Sequence, residues 1–256
     1  MPTKTTKPAT STAVATKKSA NIVSIKEALK AQAEAMADRT APPSGNNIRL
    51  SPGQFELPDG TKSPGPLELV IVDFVATNSF YDGPFDRNNP APPVCFAVGT
   101  NPLKLAPSPN SPQPQAKDCA SCPMNQWNSG ANGKGKACKN ERKMAVLPPD
   151  GDESTPMWVL KASPTAIKGF DAHVLSVSRT FQAPPVAVVT KVGLDPNADY
   201  ASLTFGDPTP NEQLPVHFAR QAEAQTLLNA EPDFTQHTAP PPAGRGKPPV
   251  RRSVAR

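Results

Sequence analysis

The chain carries four cysteines, Cys95, Cys119, Cys122 and Cys138, all within 44 residues and none left over. Two thiolates two residues apart are the usual half of a tetrahedral zinc site, because the turn between them lets both sulfurs face one ion. Pro123 and the glycines Gly130, Gly133 and Gly135 suit the tight backbone of such a knuckle. Four incidental buried thiols are the plain alternative. An iron–sulfur cluster is another, since it too takes four cysteines and tolerates a Cys-Pro step. A redox pair of the thioredoxin kind is disfavoured, because no strand–helix alternation surrounds Cys119 and Cys122. Four thiolates would close the ion's coordination and leave no position for a catalytic water, so the zinc expected here is structural.

Around Cys138 the sequence is GKGKACKNERK. Lys134, Lys136, Lys139, Arg142 and Lys143 face only Glu141, and the glycines expose backbone N–H groups that favour phosphate. A solvated loop would look the same; a metal holding these charges in place favours binding. Stacking on nucleic-acid bases needs exposed aromatic faces, for which Phe80, Tyr81, Phe85 and Trp127 are the candidates. Phe74, Phe170 and Phe205 fit core positions.

Catalytic patterns are missing. The histidines His173, His217 and His237 are scattered, and no Gly-x-Ser-x-Gly or His-Glu-x-x-His occurs. Gly130-x4-Gly135-Lys136 imitates a phosphate loop, but Ala137 stands where the magnesium-binding hydroxyl belongs and no apolar strand precedes it. The expectation is a protein that is not an enzyme and takes no small-molecule substrate.

The elements that must position these residues follow from the rest of the sequence. With 34 prolines and 37% hydrophobic residues among 256, the chain is lean enough to expect one ordered domain with disordered ends. Four lysines and no acid occupy residues 1–20, and five basic residues and no acid occupy 244–256. The remaining 18 basic residues face all 22 acids, so the middle of the chain is net acidic. Such tails suit solubility or weak, salt-sensitive attraction to nucleic acid. No apolar run reaches the length of a membrane span, and no secretory leader is visible, so an intracellular protein with reduced thiols is expected.

Residues 1–46 are expected to form a disordered tail with a short helix over 25–38, opened by the capping box Ser24-Ile-Lys-Glu27. The domain spans 47–232. It begins with a hairpin over 48–50 and 54–57, followed by strands over 67–76 and 94–98. An insertion over 100–142 comes next. It is rich in Pro, Gly, Asn and Ser and cannot bury enough apolar surface to order itself. A metal would supply that ordering free energy. Short strands over 144–147 and 157–161 flank a Pro-Asp-Gly turn. A helix opens at Ser163 and Pro164, with Ile167, Phe170, Val174 and Val177 on one face. Strands over 185–192 and 200–205 and a helix over 216–228 complete the domain, and 233–256 forms a disordered basic tail. The fold class is α+β, mainly β. Five strands with a helix between the third and fourth give an OB-fold-like five-stranded barrel with a zinc-ordered insertion.

The run Pro93-Val-Cys95-Phe-Ala, then Cys119-Ala-Ser-Cys122-Pro-Met-Asn, then Gly133-Lys-Gly-Lys-Ala-Cys138-Lys-Asn resembles a largely uncharacterised family of four-cysteine proteins from tailed bacteriophages and prophages. The plan is also similar to the zinc-containing OB-fold proteins with which phages bind single-stranded DNA. Those proteins usually end in an acidic tail that recruits partners, whereas this chain ends basic. The resemblance implies a non-catalytic binder of single-stranded nucleic acid, DNA first, acting in phage replication or recombination in the host cytoplasm. Zinc would sit on Cys95, Cys119, Cys122 and Cys138. Lys134, Lys136, Lys139, Arg142 and Lys143 would hold phosphates, and Phe80, Tyr81 and Trp127 would stack bases. A zinc-stabilised module that docks a replication or transcription protein is the second expectation, and a virion component the third.

Overall fold

The computed structural model describes residues 45–83 and 91–232 apart from Asp199, together with Ile25, Glu27, Ala28, Leu29, Gln32 and Met36. Those six are helical and exposed, at positions where the sequence predicts a helix. The rest of that helix, both tails and Phe85 lie outside the described residues.

Apolar residues, β-branched ones prominent among them, dominate β4 (Leu67–Phe80), the organising strand. Its flanks are shared by β6 (Lys139–Leu147) along one edge, and by β8 (Val188–Leu194) and β5 (Cys95–Gly99) in succession along the other. With β7 (Trp158–Ala162) and β9 (Leu203–Pro210) this makes a six-stranded antiparallel sheet, ordered β7-β6-β4-β8-β9 with β5 beside β4. A separate small sheet is formed by β1 (Arg49–Ser51), β2 (Gln54–Glu56) and β3 (Lys62–Ser63). It replaces the two-stranded entry hairpin.

The large sheet does not close into a barrel: β7 and β9 are its two edges. One reason lies at β7. Its outer edge is occupied by the incoming chain, where Val159 N–H donates to the Asn46 carbonyl at 2.7 Å and Ile48 N–H to the Val159 carbonyl at 2.9 Å.

A bulge between Ile71 and Asp73 re-phases β4, so Leu69 and Ile71 face the same side as Phe74, Ala76 and Asn78. On that side lies α1 (Ile167–Phe181), with Phe170 fully buried and edge-on to Phe74 and Phe205 at 5.0 and 5.2 Å. Phe55 of the small sheet joins this core. Gly65 is required beside it: its φ is +77°, and a Cβ there would approach the Phe55 ring to 2.7 Å. The helix starts at Ile167, later than Ser163 implies, because residues 163–166 close a turn in which Ala166 N–H donates to the Ser163 carbonyl.

On the opposite side, α2 (Leu214–Ala219) and α3 (Gln221–Asn229) replace the single helix expected over 216–228. The break falls at Arg220, whose guanidinium is drawn to Glu223 and to the carbonyls of Asp152 and Thr155. Ala224 and Leu228 of α3 cover Val72, Val75, Ala145 and Leu147. The two histidines among the described residues have structural partners. His217 is buried, with Nε2–H donating to the Gly151 carbonyl and Nδ1 accepting from Asn211. His173 meets the Thr190 hydroxyl and stacks on Phe205, and burial pushes its pKa down.

Candidate metal centre and nucleic-acid groove

The upper half of β4 carries the candidate site residues, and the strand runs four residues beyond Ala76, where its sequence pattern ends. Thr77, Asn78 and Ser79 are paired on both edges, with β5 and with β6, and Phe80 is paired with Cys95 of β5. Phe80 is therefore a strand residue, and only Tyr81 follows the strand's end. The basic stretch is likewise a strand from Lys139 onward, so the irregular insertion ends at Cys138 instead of residue 142. Alternation along β4 and β6 then sorts the predicted site residues onto two faces.

One face carries the cysteines. Asn78 and Phe80 of β4 stand opposite Ala97 and Cys95 of β5. The insertion folds over them. Its backbone is tied down by Cys119 N–H donating to the Leu105 carbonyl (2.9 Å), Cys138 N–H to Met124 (2.8 Å) and Ser108 N–H to Phe96 (2.8 Å). Pro123–Asn125 form a 3-10 turn directly after Cys122. Gly130 closes the neighbouring turn, where any Cβ would collide with the Lys134 carbonyl oxygen.

All four cysteines are buried, carry free thiols, and line one small cavity together with Asn78, Phe80 and Asn125. Among the described residues no three Cys, His, Asp or Glu side chains are already set to grip an ion. The thiols are nonetheless mutual neighbours: burial first and the adjoining cysteines second raise the Cys119 and Cys138 pKa values, that of Cys138 to about 12. Four reduced sulfurs in one cavity, in a segment with almost no core of its own, are a donor set that fits zinc or another thiophilic ion.

Arg142 also points to this side and is not a free cation. It forms a two-pronged pair with Asp171 of α1, Nε to Oδ1 at 3.0 Å and Nη2 to Oδ2 at 2.8 Å. Its side chain is 10% exposed against 43% for Asp171. The expectation of a phosphate contact fails here for a physical reason: β-strand alternation turns Arg142 away from its neighbours Glu141 and Lys143.

The opposite face carries an open groove of about 440 Å³. Its floor is built by Thr77 and Ser79 of β4, Glu141 and Lys143 of β6, and Lys161 of β7. Tyr81 lies in the groove wall, 37% exposed, with Lys139 Nζ 5.1 Å from the ring centroid. The chain leaving α3 forms another wall. There Glu231 accepts from Ser108 Oγ (2.6 Å) and Asn110 Nδ2 (2.7 Å), which clasps the insertion to the helix end.

Lys143 and Lys161 are directly opposite each other across β6 and β7. Lys143 also donates to the Leu227 and Leu228 carbonyls at the end of α3. Burial and then the charge of Lys161 bring its pKa down to about 8. Two cross-strand ammonium groups repel unless an anion lies between them. Lys161, Thr77 and Ser79 were not singled out from sequence; the signal would have been the strand pairing that sets 161 against 143.

The other predicted contacts are dispersed. Lys136 is half-buried, with Nζ 3.3 Å from Asn125 Oδ1. Lys134 and Trp127, the latter 76% exposed, sit on the insertion and do not line the groove. Phe80 faces the cysteine cavity. Of the eight residues expected to bind nucleic acid, Lys139, Lys143 and Tyr81 are brought together.

No protein-family model, curated protein or solved structure matches this chain. Among the described residues, no helix is long and apolar enough to cross a membrane.

Proposed function

We propose that this protein binds single-stranded nucleic acid, DNA in the first instance, without catalysis, in the groove over β4, β6 and β7. The observation that carries the reading is the cross-strand pair Lys143 and Lys161 on the floor of a groove walled by Tyr81. Glu141 shares this floor and Glu231 a wall, yet neither lysine forms an ion pair among the described residues; two facing ammonium groups favour a phosphate, and the partly exposed aromatic ring beside them offers a base a stacking surface. The sheet order supports the same reading. Counting β4, β6, β7, β8 and β9 as one to five, the order is three-two-one-four-five with a helix between three and four, as in an opened OB barrel. The groove then lies on strands two and three, the face OB-folds use for oligonucleotides.

A structural zinc ion on Cys95, Cys119, Cys122 and Cys138 belongs to this proposal. When bound, it supplies ordering free energy to the insertion. The chain's own residues do the rest: Ser108 and Asn110 fix Glu231 and with it one groove wall, while β5 braces the upper half of β4. The setting proposed is replication or recombination of a phage in its host's cytoplasm. One observation favours a protein-docking role in addition: Ile25, Leu29 and Met36, on one helical face, are all exposed.

The test is binding of a labelled single-stranded oligonucleotide to the full chain, beside the duplex. With three lysines engaged, the groove itself should contribute about −2 to the slope of log affinity against log salt, read as the change in slope when Lys139, Lys143 and Lys161 are replaced together. Tyr81→Ala should weaken binding roughly tenfold, which is about 1.4 kcal/mol. Phosphate binds the charged lysine better, and Lys143 loses its proton near pH 8, so affinity should fall as pH rises through that value. Equal affinity for duplex, or wild-type affinity in Tyr81→Ala, would remove the groove from the account.

A further inference from the structure

We propose that Asn78 is the hydrogen-bond donor that holds the Cys119 sulfur as a thiolate in the metal-loaded centre, and so helps set how tightly this chain keeps its ion. The inference rests on the metal reading above and adds to it a positioning residue that the cysteine spacing does not reveal.

Asn78 sits in the middle of the sheet, on β4 between Ala97 of β5 and Asn140 of β6. It is 5% exposed and lines the cysteine cavity. Its Nδ2 is buried and has no hydrogen-bond partner. A buried donor left unsatisfied is destabilising, so its retention needs an explanation.

The orientation of the amide is fixed from outside the cavity. Asn140 Nδ2 donates to Asn78 Oδ1 at 2.5 Å, and also reaches Asn125 Oδ1 at 3.0 Å. Turning the Asn78 amide over would set two NH2 groups against each other. Its carbonyl end is therefore spoken for, and the NH2 end faces the sulfurs. Asn125 in turn donates from Nδ2 to the Cys119 carbonyl at 2.6 Å. Two asparagines thus converge on one cysteine, Asn125 at its backbone and Asn78 toward its sulfur, and Asn140 donates to the carbonyl end of each.

A neutral thiol is a weak acceptor, whereas a thiolate is charged and accepts strongly. A donor aimed at a thiol lacks a full partner, and gains one when the cysteine becomes a metal ligand. Partners of this kind fix the ligand atoms and stabilise their charge, and their loss typically costs 10–100-fold in metal affinity.

The experiment uses the full chain loaded with zinc, competed against a chromophoric chelator, with cobalt substitution to read the thiolate-to-metal absorption band. Asn78→Asp keeps the shape and replaces the donor with a negative acceptor. It should hold zinc roughly 10–100-fold more weakly and alter the cobalt band. A second measurement needs no variant: in wild-type protein loaded with cadmium-113, the Asn78 side-chain amide protons should show scalar coupling to the metal through the N–H···S bond. Zinc affinity of Asn78→Asp within threefold of wild type, or no coupling in the cadmium protein, overturns the assignment while leaving the metal site in place. Wild-type protein that takes up no zinc, cobalt or cadmium overturns both.

Discussion

Cys122→Ser should abolish tight metal binding and unfold the insertion while leaving the lower sheet folded. The reasoning starts from composition. Between Gly99 and Lys139 only a few apolar side chains, Leu105 and the cysteines among them, are buried. The segment's hydrogen bonds are mostly short-range turns with a few anchors to β5 and Met124. Ordering each residue costs about 1–2 kcal/mol of backbone entropy, which so small a cluster cannot offset. A ligand present at a thousandfold excess over its dissociation constant contributes about 4 kcal/mol. Losing that should lower the melting temperature by roughly 8–16 °C, at about 2–4 °C per kcal/mol for a domain of this size. Proteolysis should then cut within 100–138 and spare β4, β6 and α1. Chelation of the wild type should reproduce the effect. A melting temperature and cleavage pattern unchanged by either treatment would refute the proposed role of the metal.

Arg142→Ala should behave as a stability mutant and not as a binding mutant. The guanidinium is nearly enclosed and its charge is satisfied by Asp171, which is itself almost half exposed. Breaking a buried pair costs about 3–5 kcal/mol, and the more solvated Asp171 brings the figure for Arg142→Ala down to about 2–3 kcal/mol. The reverse change is the harsher one, since Asp171→Ala strands a buried cation. The expected order in thermal unfolding is wild type, then Arg142→Ala, then Asp171→Ala, with the affinity of the folded Arg142→Ala protein for an oligonucleotide within twofold of wild type. A tenfold loss of affinity without loss of stability would show that Arg142 touches the ligand after all.

These two residues show where sequence reading reached and where it stopped. The cysteines were legible because spacing alone brings Cys119 and Cys122 to one turn. β4 was legible as far as Ala76, where β-branched and apolar residues are unmistakable. It was lost at Thr77-Asn78-Ser79, because polar residues in a strand read as loop unless both neighbouring strands are known. For the same reason Arg142 and Lys143 read together as part of one metal-held basic loop. Pairing along β6 turns them to opposite faces, one into a salt bridge and one into a groove. The closed barrel was a reasonable inference from element order, but order alone does not reveal that residues 46–48 occupy the edge of β7. Lys161 was missed for a related reason: its significance comes only from facing Lys143. Asn78 carries no signal in sequence at all, since its role depends on which end of its amide Asn140 engages.

The measurement that tests the central claim most directly is photocrosslinking of a halogenated single-stranded oligonucleotide to the full chain, followed by mapping of the joined peptide. It separates the groove from the basic stretches at 1–20 and 244–256, which any simple binding assay would count together. The account predicts crosslinks at Tyr81 and along the β6–β7 floor, reduced by Tyr81→Ala and by metal removal. Crosslinks confined to the two basic stretches, with the groove untouched, would contradict it.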